Sequence, residues 1–362
     1  MDREHQLTVW AADQLQSAGY VTGDDFSLIP ASNDASFRRY FRCAEPLSRV
    51  PMGDRNFVFM DAPPEFEDSA PFVAIDGMLL AAGVRVPKIH AVDLARGFMM
   101  LTDFGGDLLL DALRVAQRDE RLSLYAMAMR SLTAVQTTPS AALPAYDAMK
   151  LREEMGLFRS WFIERLLGYA MSIEETMMLE RVCETLVESA LEQPAVFVHR
   201  DYHARNLMLV PAEPGDLSLG VLDFQDAVSG PVTYDLVSLL RDCYFRLPDD
   251  ELDQLVSDAH QALVSANSEL SDASLPLFLQ WFDLMGLQRH LKCAGIFSRL
   301  CLRDGKSGYI ADIPLVLRYL VDASASVDAF SAFNSWLRSE IIPTFDAYLA
   351  NVDDDPSNGS SP

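Results

Sequence analysis

Positive charge is scarce in this chain. Among 362 residues there are only four lysines, Lys88, Lys150, Lys292 and Lys306, and 29 basic residues in all stand against 53 acidic ones, a formal net charge of −24. A field of that sign repels phosphate backbones and anionic membrane surfaces, so neither nucleic acid nor membrane is an expected partner. Cysteine is sparse too. The five present, Cys43, Cys183, Cys243, Cys293 and Cys301, are scattered and form no C-x-x-C or Cys/His cluster, which speaks against a disulfide framework or a structural metal site. They read as buried thiols in a reducing compartment. No run approaches the ~18 apolar residues of a membrane helix. The segment up to Gln16 carries acids early and lacks a basic start followed by an apolar stretch, so no secretory signal is expected. Cytoplasm is the expected location. No internal repeat is visible, and nothing points to an obligate protein partner.

What is present is the composition of a folded protein, 49% hydrophobic and 23% charged, long enough for two lobes with separate cores. After a helical pattern from about His5 to Ala18, three short strands are expected at Phe26–Pro30, Phe37–Cys43 and Asn56–Met60. Phe72, Ile75 and Leu79 recur at helical spacing, and strand patterns follow at Pro87–Val92 and Gly97–Leu101. From Leu108 onward helices dominate, including Arg121–Gln136, Met149–Leu167 and Ile173–Leu191, with short strands at Ala195–Val198, Leu207–Val210 and Leu217–Leu222. The pattern is α+β: a small β-rich N-lobe over 1–104, a larger mainly helical C-lobe over 105–350, and a tail over 351–362 rich in Asp, Ser, Gly and Pro and expected to be disordered.

Between two of those short strands lies Val196-Phe-Val-His-Arg-Asp-Tyr-His-Ala-Arg-Asn-Leu-Met-Leu-Val210, which matches H-R-D-x-x-x-x-N. The spacing has a mechanical reason. The Asp accepts the hydrogen bond or proton of an attacking hydroxyl, and the Asn turns back to ligate magnesium. Downstream, Gly220-Val-Leu-Asp-Phe-Gln-Asp226 is an apolar strand ending in Asp223, 22 residues after Asp201, as expected of a hairpin that returns a second acid beside the first. Asp201 is therefore the candidate catalytic residue, and Asn206 and Asp223 are the candidate magnesium ligands, with the phosphates of ATP completing an oxygen shell. Each motif alone is weak; their order, beside apolar strands and after a β-rich lobe, makes the pattern specific. His199 reads as a structural histidine bonding the loop backbone.

The loop departs from protein kinases at His203, where they carry Lys, and so resembles the H-x-D-x-H-x-x-N loop of the aminoglycoside phosphotransferase family. Gly230-Pro-Val-Thr-Tyr-Asp-Leu236 also resembles the segment that follows that family's magnesium aspartate, and Asp235 there ties or caps the loop. The resemblance implies a protein-kinase-like bilobal fold, ATP and magnesium, and a small hydroxylated acceptor. Within the family the likeness is nearer to the anomeric sugar kinases of bacterial cell-wall recycling, which phosphorylate N-acetylmuramate and N-acetylglucosamine at the C1 hydroxyl. It is carried by Pro30-Ala-Ser-Asn-Asp-Ala-Ser-Phe-Arg-Arg-Tyr-Phe-Arg42, Met60-Asp-Ala-Pro-Pro-Glu65, the catalytic loop and Leu222-Asp-Phe-Gln-Asp226. An aminoglycoside or other small-molecule kinase, and a catalytically silent nucleotide binder, stay open beside it.

The silent reading is motivated by a missing lysine. Kinases hold the α- and β-phosphates with a strand Lys paired to a helix Glu, yet Phe57-Val-Phe-Met-Asp61 offers no Lys and the following helix offers Asp76. Arginines of Phe37-Arg-Arg-Tyr-Phe-Arg42 are the favoured substitutes, because Asp201, Asn206 and Asp223 are all retained. Strand alternation puts Arg38 and Arg42 on one face and Arg39 on the other. Arg38 and Arg39 join Ser32, Asn33 and Ser36 of the turn at 31–36, and Asp103 at the join of the lobes, as candidate nucleotide-binding residues. Gly105 and Gly106 beside Asp103 suit a hinge. For the acceptor, His203, Asp226 and Arg241 are the candidate contacts; the stripe Phe158, Trp161, Phe162 and Leu166 is better explained as core.

Overall fold

A computed structural model describes residues 2–20, 26–32, 37–44, 56–212 and 216–353. The chain opens with α1 (Arg3–Ser17), then β1 (Leu28–Ser32), β2 (Arg39–Cys43), β3 (Phe57–Asp61), α2 (Ala70–Ala81), β4 (Ile89–Asp93), β5 (Phe98–Thr102) and the short α3 (Leu109–Val115). Helices α4 (Arg118–Gln136), α5 (Ala148–Leu157) and α6 (Ile173–Glu192) follow. Four short strands come next: β6 (Ala195–Val198), β7 (Leu207–Pro211), β8 (Leu217–Val221) and β9 (Val228–Pro231). The remainder is helical, with α7 (Tyr234–Leu240), α8 (Asp249–Ala266), α9 (Leu275–Asp304), α10 (Ile313–Ala325), α11 (Ser331–Trp336) and α12 (Ile342–Asp353). Among the described residues, no helix is long and apolar enough to cross a membrane.

Contacts divide the chain into two compact units, Met1–Val115 with Arg205–Ala227, and Ala116–Ala204 with Val228–Pro362. The first holds a five-stranded antiparallel sheet in the order β1-β2-β3-β5-β4. Alternation along the strands sorts its faces. Phe41, Phe57, Phe59, Phe98 and Met100 form one core with Leu7, Trp10, Ala11 and Leu15 of α1. On the other face Tyr40, Arg42, Val58 and Leu101 line a cleft. Asp61 fastens α1 to this sheet, accepting hydrogen bonds from Arg3 Nε at 3.0 Å and Arg39 Nη2 at 2.6 Å while fully buried. The β7–β8 hairpin belongs to the same unit. Its Met208 and Val210 pack with Phe104 over Gly220, whose hydrogen lies where a Cβ would come within 2.5 Å of the Phe104 ring.

In the second unit the 30-residue α9 is the central element, packing on α5, α6, α7 and α10. Its middle is buried nearly all round, from Phe278 to Ser298. Gly295 makes that possible: a Cβ there would stand 2.3 Å from the backbone carbon of Leu157 and 2.6 Å from its oxygen. Two local features differ from the sequence pattern. The helix expected to run to Leu167 changes to a wider winding over Phe158–Leu166, although Phe158, Phe162 and Leu166 are buried as core, as their spacing implies. Val228–Pro231, for which the sequence pattern gives no strand, pairs antiparallel with β6, with Pro231 at the ladder's end where its missing N–H is tolerated. At the C-terminus α12 runs through Asp353, so residues 351–353, expected to belong to a disordered tail over 351–362, are helical; residues 354–362 lie outside the described residues.

Gly295→Ala is expected to push α9 from α5 and destabilise the protein by about 1–3 kcal/mol. Urea unfolding monitored by circular dichroism measures it; a midpoint equal to the parent's would show that the two helices do not need this approach.

Candidate active site

Backbone hydrogen bonds fix the catalytic loop in the second unit. β6 delivers His199, fully buried, and the N–H groups of His199 and Arg200 donate to the two carboxylate oxygens of Asp235 at 2.6 and 3.0 Å. Asp235 sits in the first turn of α7, so the role as a loop tie implied by resemblance is what the geometry shows. Burial pushes its carboxyl up to about 7, against the pull of those two donors. Arg200 adopts a left-handed backbone with φ 77°, an uncommon conformation for a non-glycine residue. The Asp201 N–H then donates to His199 Nδ1 at 3.3 Å, Tyr202 Oη donates to Ala128 O at 2.9 Å, and Ala204 N–H donates to Asp242 Oδ2 at 2.9 Å. His199 is thus structural, as expected.

Asp201 and His203 open into a small cavity lined also by Tyr244, Arg289, Lys292 and Tyr309. Its apolar wall is aromatic: the Tyr244 ring meets His203 edge-on with centroids 5.3 Å apart, and Phe297 stands 6.1 Å from Tyr244 and 5.4 Å from Tyr309. Below the cavity lies an ionic cluster. Glu154 of α5 pairs with Arg200 and, at 3.3 Å, with Lys292, accepts a hydrogen bond from Tyr146 Oη, and Lys292 Nζ donates to Tyr234 Oη at 2.8 Å. Burial raises the Asp201 carboxyl, but Lys292, His203, Arg200 and Arg289 outweigh it and hold Asp201 below the ordinary carboxylate value. Glu154 is likewise held down against burial by Lys292 and Arg200. An ionised carboxylate facing a cavity can accept the hydrogen bond of a bound hydroxyl at neutral pH.

The first unit contains a cleft of about 490 Å³ lined by residues that include Arg42, Val58, Leu101, Asp103, Asn206 and Asp223. Pairing of Leu207 with Val221 in the β7–β8 hairpin brings Asn206 and Asp223 together, and Asn206 Nδ2 donates to Asp223 Oδ2 at 3.3 Å. Gln225 Nε2 donates to Asp223 Oδ1 at 2.8 Å, and Asp223 is left-handed with φ 63°, which turns its carboxylate out of the strand line. One carboxylate beside one amide oxygen is a hard, all-oxygen donor set that fits magnesium. Across the cleft wall Arg42 is the register partner of Val58, and its Nε and Nη2 reach the Asp103 carboxylate at 2.6 and 2.8 Å.

Residues 27–267 match the phosphotransferase enzyme family. The chain belongs to this family. Across nearly the full length it is similar to the N-acetylmuramate/N-acetylglucosamine kinase of Pseudomonas aeruginosa, 47% identical over 334 residues, which cover 89% of this chain and 92% of that protein. The protein of the same name from Pseudomonas putida is 43% identical, with 88% and 91% covered. Among solved structures, the ethanolamine kinase of Plasmodium vivax aligns with a TM-score of 0.56 at 9% identity over 82% of each chain, which shows a shared kinase-like α+β fold.

Within this phosphotransferase the expected residues divide. Asn206, Asp223 and Asp103 meet in the first unit's cleft, and Asp201 and His203 share the second unit's cavity. Arg38 and Arg39 do not line the cleft. Arg38 precedes β2, where alternation does not govern it, and pairs with Glu67 at 3.0 Å; Arg39 is held by Asp61. Among the described residues the cleft arginines are Arg42 and Arg205. Asp76 is buried on α2, its carboxyl raised to about 6 by burial, and forms no ion pair with a lysine or arginine among the described residues. Ser32 ends β1, whereas Asn33 and Ser36 lie outside the described residues. Asp226 is exposed in the turn after Asp223. Arg241 does not line the cavity; it pairs with Asp283 at 2.5 Å and lies 4.6 Å above the Phe282 ring. Arg289 and Lys292 escaped the sequence pattern. The available signal was two cations three apart, beside Gln288 and His290, between apolar runs of α9.

Because Asp201 is held below its ordinary value of 3.8, its ionisation should leave kcat/KM flat between pH 8 and 5. Lys292→Met removes the largest positive influence on that carboxyl, so its value rises and the acid limb of the pH–rate profile moves to higher pH. An unshifted limb in the variant would show that Lys292 does not hold Asp201 ionised.

Proposed function

We propose that this phosphotransferase is an ATP- and magnesium-dependent kinase that transfers the γ-phosphate to the anomeric C1 hydroxyl of N-acetylmuramate or N-acetylglucosamine in the cytoplasm. Near-full-length likeness to two kinases named for these sugars supports the acceptor. The cavity beside Asp201 carries the reading against a polycationic aminoglycoside: in a chain of net charge −24, its wall presents Arg289 and Lys292. Cations held in a low-dielectric wall repel an amine-rich acceptor and tolerate a neutral or acidic sugar.

In this account Asp201 accepts the hydrogen bond of the attacking hydroxyl, and Asn206 and Asp223 hold the magnesium, which neutralises charge on the phosphates. His203, with Tyr244, borders the sugar. Arg42 takes the place of the absent strand lysine, since it enters the cleft one strand over from Val58, and Asp103 orients it. A retained cation in that cleft favours an active kinase over a silent nucleotide binder.

Labelled ATP presented with a panel of amino sugars and aminoglycosides should transfer phosphate to the two N-acetylated sugars; transfer confined to aminoglycosides would reject this acceptor. Asp201→Ala and Asp223→Ala should each lower kcat by at least ~10²-fold with the melting temperature preserved. Arg42→Gln should raise KM for ATP by about 10-fold, the scale of one charge-assisted hydrogen bond, and a KM equal to the parent's would remove Arg42 from the phosphate site.

A further inference from the structure

Buried and half-buried cations in the second unit come with carboxylates. Arg121 pairs with Glu251 at 2.5 Å, Arg200 and Lys292 share Glu154, and Arg241 pairs with Asp283. Arg289 departs from that rule. It lies in the middle of α9, 4% exposed, yet no carboxylate among the described residues stands within ion-pair distance of it. Its Nη1 leans on two thiols, Cys243 Sγ at 3.6 Å and Cys293 Sγ at 3.5 Å, and its Nε has no acceptor. Thiols are weak acceptors, and a guanidinium taken from water without an anion is costly. The same residue lines the cavity that holds Asp201 and His203.

We propose that Arg289 is the anion-reading residue of the acceptor pocket and binds the carboxylate of an acidic amino sugar. The inference rests on the function proposed above. The two sugars differ by one substituent, the lactyl ether of N-acetylmuramate, which ends in a carboxylate. A guanidinium presents a planar fork that matches a carboxylate in a bidentate pair, and burial strengthens such a pair. Its charge is already felt inside the cavity: the Cys293 thiol is held down to about 7, first by the hydrogen bond with Cys243 and then, against burial, by Arg289. Tyr244, Phe297 and Tyr309 supply the apolar wall on which a pyranose ring can lie. The neutral sugar fits the same wall but leaves the guanidinium unmet, so the acidic sugar is the better acceptor.

The test compares kcat/KM for N-acetylmuramate and N-acetylglucosamine in the wild type and in Arg289→Gln and Arg289→Lys. The ratio of acidic to neutral sugar should fall by about 30-fold or more in Arg289→Gln and by less in Arg289→Lys, which keeps charge but loses the fork. On the wild type alone, the methyl ester of the lactyl group should lose the same advantage, which keeps the test independent of how the variants fold. A ratio unchanged in both variants, or an ester used as well as the acid, overturns the inference while leaving the kinase reading intact. An equal loss on both sugars assigns Arg289 to the transferred phosphoryl group instead. A wild-type enzyme that phosphorylates neither sugar removes both readings.

Discussion

Glu154 carries the charge that allows the buried Lys292 and the half-buried Arg200 to share the floor beneath the catalytic loop. It reaches them from α5, while Arg200 comes from the loop after β6 and Lys292 from α9, so three elements of the second unit meet at one carboxylate. Breaking a buried pair by removing one partner costs roughly 3–5 kcal/mol, because the other charge is stranded. The hub therefore holds Arg200 in its left-handed conformation, itself a strain of about 1–3 kcal/mol, and Asp235 completes the constraint from α7. Asp201 follows directly in the chain. Its position and its ionisation are both consequences of this cluster.

The same cluster explains how a chain of net charge −24 keeps cations in the wall of the cavity beside Asp201. Surface acidity acts at long range and is screened by salt within ~10 Å, whereas cations walled into a cavity act at contact distance in a low dielectric. The sign inside differs from the sign outside. Such a reversal is maintained only where helices are packed tightly enough to exclude water, which is what Gly295 permits where α9 meets α5.

Features set by local spacing were legible in the sequence. The fold class, the catalytic loop, the Asn206–Asp223 pair and the structural role of His199 follow from short motifs beside apolar strands, and the tie through Asp235 follows from the family resemblance. Features set by register or by distant packing were not. Alternation sorted the arginines of β2 into faces but could not say where the strand begins, and the pairing of Arg42 with Val58, a long-range contact, decides which cation enters the cleft. Arg289 and Lys292 were hidden for another reason. A helix buried all round has no polar stripe, so its pocket-facing residues carry no periodic mark.

Phosphorus NMR of the product formed from ATP, magnesium and N-acetylmuramate reports both that transfer occurs and which hydroxyl receives the group. The proposed function predicts a phosphomonoester resonance coupled to the anomeric proton. A resonance coupled to the C6 methylene protons, or no sugar phosphate at all, would contradict it.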